Sequence, residues 1–199
     1  KHNYRIDRER DDSRTDYSCE WSNTDSKQWR KVSSRMSTIA VDSIEAKTSG
    51  GAVSFPNKPM FRVCPAGDKA IANNSTTVIP FDDKSSSTEL FDVGGYFNTS
   101  TFRYTPLVAG YYSVHMSVLL ESANYVIGTI NKNGVQQFNN RAWSESGLFS
   151  TAQISGVIHM NGSTDYLEGT AYHNVGSTQN IRGADAGLGH SYFCGFFIG

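Results

Sequence analysis

The side chains that most often carry catalysis are scattered along this chain of 199 residues. Its histidines show no His-Glu-x-x-His spacing and its cysteines no Cys-x-x-Cys spacing, so the sequence predicts no zinc site. Trp143 near Glu145 and Tyr166 near Glu168 could line a sugar cleft, where glycosidases place two carboxylates. Rim positions on loops and strands are the favoured interpretation, because sequence alone does not set the separation of two carboxylates. We therefore predict no catalytic residue and a chain that is not an enzyme.

Several acidic side chains on or near predicted loops are hard oxygen donors of the kind that bind calcium. They are Asp82, Asp83, Asp92, Asp165, Glu168 and Asp185. No predicted loop carries them as a ligand-dense repeat. Calcium is thus a candidate ligand that the sequence does not predict, and we predict no metal site and no cofactor.

The composition excludes some classes of partner. With 18 basic and 19 acidic side chains the net charge is −1, which gives no field that would draw the chain to nucleic acid. No apolar run approaches the length of a membrane span, so no membrane insertion is predicted. The chain is rich in Gly, Tyr, Phe, Ser, Thr and Asn, a composition typical of short strands and tight turns. An all-β body is therefore expected.

Residues 1–37 differ from the rest, because they are dense in charges of both signs. One interpretation is a solvated, disordered arm, since so few apolar groups cannot offset the entropy of ordering. The other is an extended arm that orders against a partner through aromatic anchors. The candidate docking residues are Tyr4, Tyr17, Trp21 and Trp29. Basic side chains alternate with acidic ones here, which disfavours nucleic-acid binding.

Residues 38–59 are predicted to be a connector with short strands around a glycine turn at Gly50 and Gly51. The stretch 41–53 is similar to a linker found in bacteriophage fibre and tail proteins before a C-terminal head. That similarity implies a head domain that follows the connector.

From Met60 onward, short apolar and aromatic runs recur at the intervals expected of a β-sandwich. In the longest run, Tyr111 to Leu120, the side chains at Tyr112, Val114, Met116 and Val118 alternate with polar ones and are predicted to face the core. Asn133-Gly134 predicts a tight hairpin between Tyr125 to Ile130 and Val135 to Phe138. Ser191 to Ile198 is predicted as a closing aromatic strand. Further strands are predicted over Val78 to Phe81, over Thr151 to Met160 with Ile154 and Val157 grouped on one face, and over Asp165 to Tyr172.

An ordered set of acidic, aromatic and glycine positions leads into the long strand: Asp92, Phe97, Tyr104, Gly110 and Tyr112. This set resembles the signature of the complement C1q globular-head family, relatives of tumour necrosis factor. The resemblance covers about residues 60–199 and includes the Asn133-Gly134 hairpin and the aromatic last strand. It implies an all-β C1q/TNF-like jelly-roll sandwich, preceded by a largely extended arm. No collagen-like Gly-X-Y stretch is present, so the similarity is to bacterial and phage versions of the domain.

The resemblance also implies a homotrimer. Two rows of polar and aromatic side chains point outward on the predicted strands, and each must either be buried in an interface or face solvent. They supply the candidate trimer-interface residues, which are Tyr111, His115, Tyr166, Thr170 and Tyr172. A jelly roll places its first and last strands side by side, so a bridge between Cys64 and Cys194 is one interpretation. Two buried thiols are the favoured one.

We therefore predict a non-enzymatic virion structural protein, such as a phage fibre, tail or capsid-decorating component. Its head would mediate assembly or recognise a host-surface glycan or protein, while residues 1–37 dock on other virion proteins. One alternative is a secreted C1q-like lectin or adhesin, in which the sequons at Asn73, Asn74, Asn98 and Asn161 would be occupied. The other is a polysaccharide-degrading fibre enzyme. The expected location is the virion, with secretion as its alternative.

Overall fold

The structure, a computed structural model, describes residues 58–121, 125–144, 148–185 and 188–199. The arm predicted over residues 1–37 lies outside the described residues, as does nearly all of the connector predicted over 38–59. The docking candidates Tyr4, Tyr17, Trp21 and Trp29 also fall outside them.

The described residues form strands and no helix, so no membrane-spanning helix occurs among them. The strands are β1 Met60–Val63, β2 Lys69–Ile71, β3 Thr77–Val78, β4 Phe91–Val93, β5 Phe97–Asn98, β6 Arg103–Tyr104, β7 Ala109–Glu121, β8 Tyr125–Lys132, β9 Val135–Trp143, β10 Phe149–Asn161, β11 Leu167–Tyr172, β12 Gln179–Ile181, β13 Ala184–Asp185, β14 Leu188–Gly189 and β15 Tyr192–Phe197. The all-β prediction is confirmed.

The strands pair into two antiparallel sheets and one small ribbon. In the seven-stranded sheet, β4, β1, β15 and β7 are neighbours in that order, and β10 pairs with β7 along its whole length. β12 pairs with the end of β7 and carries β2. The six-stranded sheet has the order β5-β6-β11-β8-β9, with β3 also on β11. β13 and β14 form the ribbon.

The core lies between the two larger sheets, and β7 shows why. Tyr112, Val114, Met116 and Val118 are all buried in one apolar cluster, as the period-two pattern predicted. The matching positions of β10, among them Ile154 and Ile158, join the same cluster. Burial of this apolar surface is what holds the two sheets together.

The predicted hairpin is confirmed, and its strands run further than predicted, from Tyr125 to Lys132 and from Val135 to Trp143. Asn133 and Gly134 take the left-handed φ values of 53° and 76° that a type I′ turn requires. The turn is also tied to β11, because the Asn133 side chain accepts a hydrogen bond from the Tyr166 N–H at 2.9 Å. The register of β8 against β9 is therefore fixed at its closed end.

Three local predictions differ from the structure. A short strand predicted over Val78 to Phe81 is paired only at Thr77–Val78, because Pro80 interrupts the ladder while Ile79 and Phe81 turn into the core. The side chain of Val157, grouped with Ile154 at the sequence level, points to the opposite face of β10. The strand predicted to begin at Asp165 begins at Leu167.

Asp92, the first position of the signature, closes a tight turn. Its carboxylate accepts the N–H groups of Tyr96 at 2.9 Å and Phe97 at 3.0 Å, and it pairs with the Lys84 ammonium at 2.8 Å. Gly94 between them has a φ of 98°, which favours glycine. Charge-assisted hydrogen bonds of this kind are among the stronger local contacts.

The aromatic members of the signature form the centre of the core. The Phe61 ring stacks on the Tyr104 ring with 4.0 Å between centroids, and it also stacks on the Phe97 ring at 5.6 Å. Tyr112 donates its hydroxyl hydrogen to the Val108 carbonyl at 2.8 Å. A side chain at Gly110 would collide with the Gly199 carbonyl, which explains the glycine. These residues therefore build the scaffold and present no site.

The first and last described strands are neighbours, as a jelly roll requires, with Arg62 opposite Cys194. Cys64 is buried, Cys194 is partly buried, and both are free thiols. Of the two interpretations, the structure shows unbridged thiols. Cys19 lies outside the described residues.

Candidate assembly interface

The outward side of the seven-stranded sheet is the candidate site. Strand pairing aligns side chains from β4, β1, β15, β7 and β10 into rows that cross the sheet. We call this surface the seven-strand face. Its members alternate with the core residues on the same strands, so their positions follow from the strand period and the register.

One row of the seven-strand face is largely apolar. In register across the five strands it consists of Val93, Met60, Phe196, Ser113 and Val157. Phe196 is 55% exposed and Val157 is 57% exposed, although both are large apolar side chains. Exposed apolar side chains aligned across one sheet, here on the two strands that flank β7, mark a surface that favours being covered.

The adjacent row combines aromatic, cationic and thiol groups. It consists of Phe91, Arg62, Cys194, His115 and Ser155. The guanidinium of Arg62 lies 4.9 Å from the centroid of the Tyr192 ring, which is a cation–π contact. The Tyr192 hydroxyl is 3.1 Å from Nε2 of His115. These contacts hold the polar side chains flat against the sheet.

Two electrostatic features of that row bear on assembly. Nε of Arg62 is buried and has no hydrogen-bond partner among the described residues, although a buried donor is normally paired. Burial raises the pKa of the Cys194 thiol, and the charge of Arg62 only partly opposes that shift. The row therefore carries a cation with an unused donor beside an uncharged thiol.

The structure divides the predicted trimer-interface residues between two faces. Tyr111 and His115 lie on the seven-strand face, where the Tyr111 ring packs against His159 with 5.2 Å between centroids. Thr170 and Tyr172 belong to β11 in the other sheet, and Tyr166 directly precedes that strand. The five residues therefore do not form one surface, because β7 and β11 belong to opposite sheets.

The second group has structural contacts of its own. Thr170 is buried and accepts a hydrogen bond from the Asn131 amide at 3.4 Å. The ring of Tyr166 lies 4.0 Å from the Arg103 guanidinium. Tyr172 donates its hydroxyl hydrogen to Asn74 at 2.6 Å. Of the five predicted residues, Tyr111 and His115 are the two that lie on the seven-strand face.

Sequence reasoning did not name Phe196, Val157 and Arg62, which the structure places on the seven-strand face. Their signal was present in the last strand, where Tyr192, Cys194 and Phe196 alternate with the buried Phe193 and Gly195. Once this strand is placed between β1 and β7, the outward positions of all three strands follow. The placement depends on topology, which the local sequence does not state.

Five of the acidic side chains considered for catalysis or calcium make ion pairs or cap turns, namely Asp82, Asp83, Asp92, Asp165 and Glu168. Glu168 is buried and pairs with Arg103 at 3.0 Å, and Asp82 pairs with Lys69 at 2.7 Å. Asp83 caps its own loop through the N–H groups of Ser85 and Ser86. Within the described ranges, no three acidic, histidine or cysteine side chains come close enough to form a metal site. Glu145 lies outside those ranges.

The structure resembles solved structures of two related kinds. One is murine APRIL, a member of the tumour necrosis factor family, with a TM-score of 0.53 and 11% identity over 71% of this chain and 99% of that one. The other is the globular domain of the zebrafish complement 1qA protein, with a TM-score of 0.52 and 16% identity over 71% of this chain and 98% of that one.

Other comparisons gave no match. No protein-family model matches the sequence. No curated protein matches it either. The likeness therefore concerns the fold, and it agrees with the antiparallel two-sheet topology and with the signature residues in the core. The described domain is a C1q/TNF-like jelly roll.

Proposed function

We propose that this chain is a non-enzymatic assembly module whose seven-strand face closes into a homotrimer. The observation that carries the proposal is the row of Val93, Met60, Phe196, Ser113 and Val157, with large apolar side chains left exposed on a regular sheet. Proteins with C1q/TNF-like folds are typically trimers, which favours threefold closure over other symmetries.

The energetics favour covering this face. Burying an exposed side chain of the size of Phe or Val contributes about 1.5–3 kcal/mol, and a cyclic trimer repeats that gain at each of its interfaces. An acceptor on a neighbouring copy would also pair Nε of Arg62, whose burial without a partner is unfavourable in a single copy. Assembly would thus remove two unfavourable features of the single chain.

Sedimentation equilibrium of the whole chain at micromolar concentration tests the trimer. We expect the mass of three chains for the wild type and of one chain for Phe196→Glu, because the substitution replaces an apolar contact with a carboxylate that each interface would have to desolvate. Val135→Glu is the matched control, since Val135 is an exposed apolar strand residue in the other sheet. A wild-type mass of one chain, or a trimer that survives Phe196→Glu, would contradict the proposal.

We further propose that the trimer is a component of a virion, attached through residues 1–37. Support comes from the aromatic anchors in that charged arm and from the similarity of residues 41–53 to a phage fibre linker. Antibody raised against the jelly roll should label purified particles at regular positions under the electron microscope. Unlabelled particles, together with a secreted chain that carries glycans at Asn73 or Asn98, would instead indicate the lectin or adhesin alternative.

A further inference from the structure

The outward side of the six-stranded sheet carries a shallow cleft of about 390 Å³. Its floor is formed by neighbouring strands β8, β9 and β11. Strand register places Arg141 opposite Ile127, Asn139 opposite Thr129, and Gln136 opposite Asn131. Because all of these side chains belong to one chain and one sheet, the cleft exists in a single copy.

The lining of the cleft is polar, and it carries one positive charge. Amides, hydroxyls and the Arg141 guanidinium are present, but no carboxylate is among the lining side chains. Gln136, Asn139 and Arg141 are exposed, and their side chains make no hydrogen bond or ion pair with other described residues. The cleft therefore presents several donors and acceptors that the fold itself does not use.

Aromatic rings continue the cleft at one end. Tyr172 lines it, the Tyr125 ring lies 6.3 Å from Tyr172, and the Trp143 ring lies 4.5 Å from Tyr125. Trp143 is 73% exposed, although it sits on a regular strand two residues from Arg141. An indole that the core does not bury offers a flat apolar surface next to the polar cleft.

We propose that this cleft binds an oligosaccharide that carries a carboxylate. The C–H face of a sugar ring matches the exposed indole, and its hydroxyls match the amides of Gln136 and Asn139. A guanidinium recognises a carboxylate through two parallel hydrogen bonds, and Arg141 has no acidic neighbour in the lining to compete. This site goes beyond the proposed trimer and does not depend on it.

Other ligand classes fit these residues less well. A neutral sugar would make no use of the charge of the Arg141 guanidinium. A nucleic acid needs several cations along its backbone, whereas this lining has one. An acidic peptide would pair with Arg141 but would make less use of the flat Trp143 ring. The combination of one cation, several amides and an exposed indole is what favours an acidic sugar.

The test uses the whole chain and tetragalacturonate, with binding measured by isothermal titration calorimetry. We expect Arg141→Gln to weaken binding by about tenfold or more, since it removes a charge-assisted pair. Methyl esterification of the sugar carboxylates should lower its affinity for the wild type by a similar factor. It should change the affinity for Arg141→Gln only slightly, because that variant has already lost the charge pair. Trp143→Ala should also weaken binding, and Trp143→Phe should restore part of it because a ring remains.

Leu107→Ala is the matched control, since Leu107 is an exposed apolar residue outside the cleft. The affinity of this variant for tetragalacturonate should equal that of the wild type. Each variant should keep the sedimentation behaviour of the wild type, which separates a lost site from a lost fold. Three results would each overturn the proposal. They are no heat of binding with tetragalacturonate, wild-type affinity for it in both Arg141→Gln and Trp143→Ala, and an affinity of the wild type for tetraglutamate equal to that for tetragalacturonate. Binding by Phe196→Glu at wild-type affinity would support the site even if the chain proved monomeric.

Discussion

The two outward faces of this sandwich follow the same strand geometry and have opposite chemistry. The seven-strand face presents an apolar row beside Arg62, whose buried Nε lacks a partner. The six-stranded sheet presents exposed amides and Arg141 around a cleft, with Trp143 at its edge. The first surface is suited to a second copy of the chain and the second to a polar ligand. If the trimer and the cleft are as we propose, one sheet serves self-association and the other serves recognition.

The faces also differ in how far their residues lie apart in the chain. The cleft is built mainly from the β8–β9 hairpin, whose strands are joined by a two-residue turn. The seven-strand face takes side chains from five strands that span the described domain, from Met60 to Phe196. We therefore expect a local change to alter the proposed recognition alone, whereas the proposed self-association depends on the whole topology.

The largest expected effect on stability comes from the aromatic core that lies between the two faces. Phe61 belongs to the seven-stranded sheet and packs against Tyr104 of the other sheet and against Phe193, at 4.0 Å and 5.0 Å between centroids. We expect Phe61→Ala to lower the free energy of unfolding by about 3–5 kcal/mol, because a cavity opens in the core. Urea unfolding in the monomeric Phe196→Glu background measures this without a contribution from dissociation.

A smaller change than about 1 kcal/mol would show that Phe61 does not couple the two sheets. The control is Leu107→Ala in the same background, because an exposed side chain leaves no cavity when it is truncated. Its free energy of unfolding should stay within about 0.5 kcal/mol of the parent.

A medium effect is expected where the two sheets are joined by a carboxylate. Asp165 pairs with Lys132 of β8 at 2.7 Å and accepts the Asn161 N–H of β10 at 2.9 Å. The hydrogen bond from Lys132, with further ones from Asn133 and Asn161, lowers the pKa of Asp165. Its contribution to stability is thus present above the unfolded pKa of about 3.9 and is lost as the pH falls through the lower folded value.

We expect Asp165→Asn to cost about 1–2 kcal/mol at pH 7 and progressively less as the pH falls below about 4, as measured by urea unfolding from pH 7 down to about pH 2. Asp68→Asn is the control, because its ion pair with Arg182 is more exposed. An Asp165→Asn cost that does not change with pH would mean that the charge of this carboxylate does not join the sheets.

The smallest expected effect is a change in thiol reactivity that distinguishes the faces. Cys194 lies on the seven-strand face, so trimer formation should shield it, whereas Phe196→Glu should leave it open. Both chains compared carry Cys19→Ser. Iodoacetamide should modify Cys194 several-fold faster when Phe196→Glu is also present than when it is absent, and peptide mass spectrometry measures the two rates. Cys64 should react slowly in both, because burial raises the pKa of its thiol to about 11. Equal rates for Cys194 would place the interface elsewhere.

Local patterns predicted much of the fold. The alternation of Tyr112, Val114 and Met116 predicted which side of β7 is buried, and Asn133-Gly134 predicted the hairpin, because both depend on neighbours in sequence. The signature from Asp92 to Tyr112 predicted the jelly roll through its resemblance. Its residues proved to be core and turn groups.

The composition of the outward faces could not be predicted in the same way. Tyr111 and Thr170 were grouped because both lie on polar-aromatic rows, yet β7 and β11 belong to different sheets. For Trp143 the sequence favoured a rim position over an enzyme cleft, but nothing local shows whether such a ring is packed or exposed. The surface to which a residue belongs depends on its tertiary neighbours. Those neighbours are determined by the order of strands in the sheet, and the alternation within one strand does not predict that order.

The position of β15 has a consequence for the order in which the molecule can be made. It is the last described strand in chain order, yet it lies between β1 and β7 in the sheet. During synthesis, β1 emerges first and must wait with an unpaired edge until β15 arrives, a non-local pairing that slows folding. Because β15 supplies Phe196 and Cys194, the seven-strand face is incomplete until that strand has been translated. If this face forms the proposed trimer, a chain still being translated lacks a complete surface with which to associate.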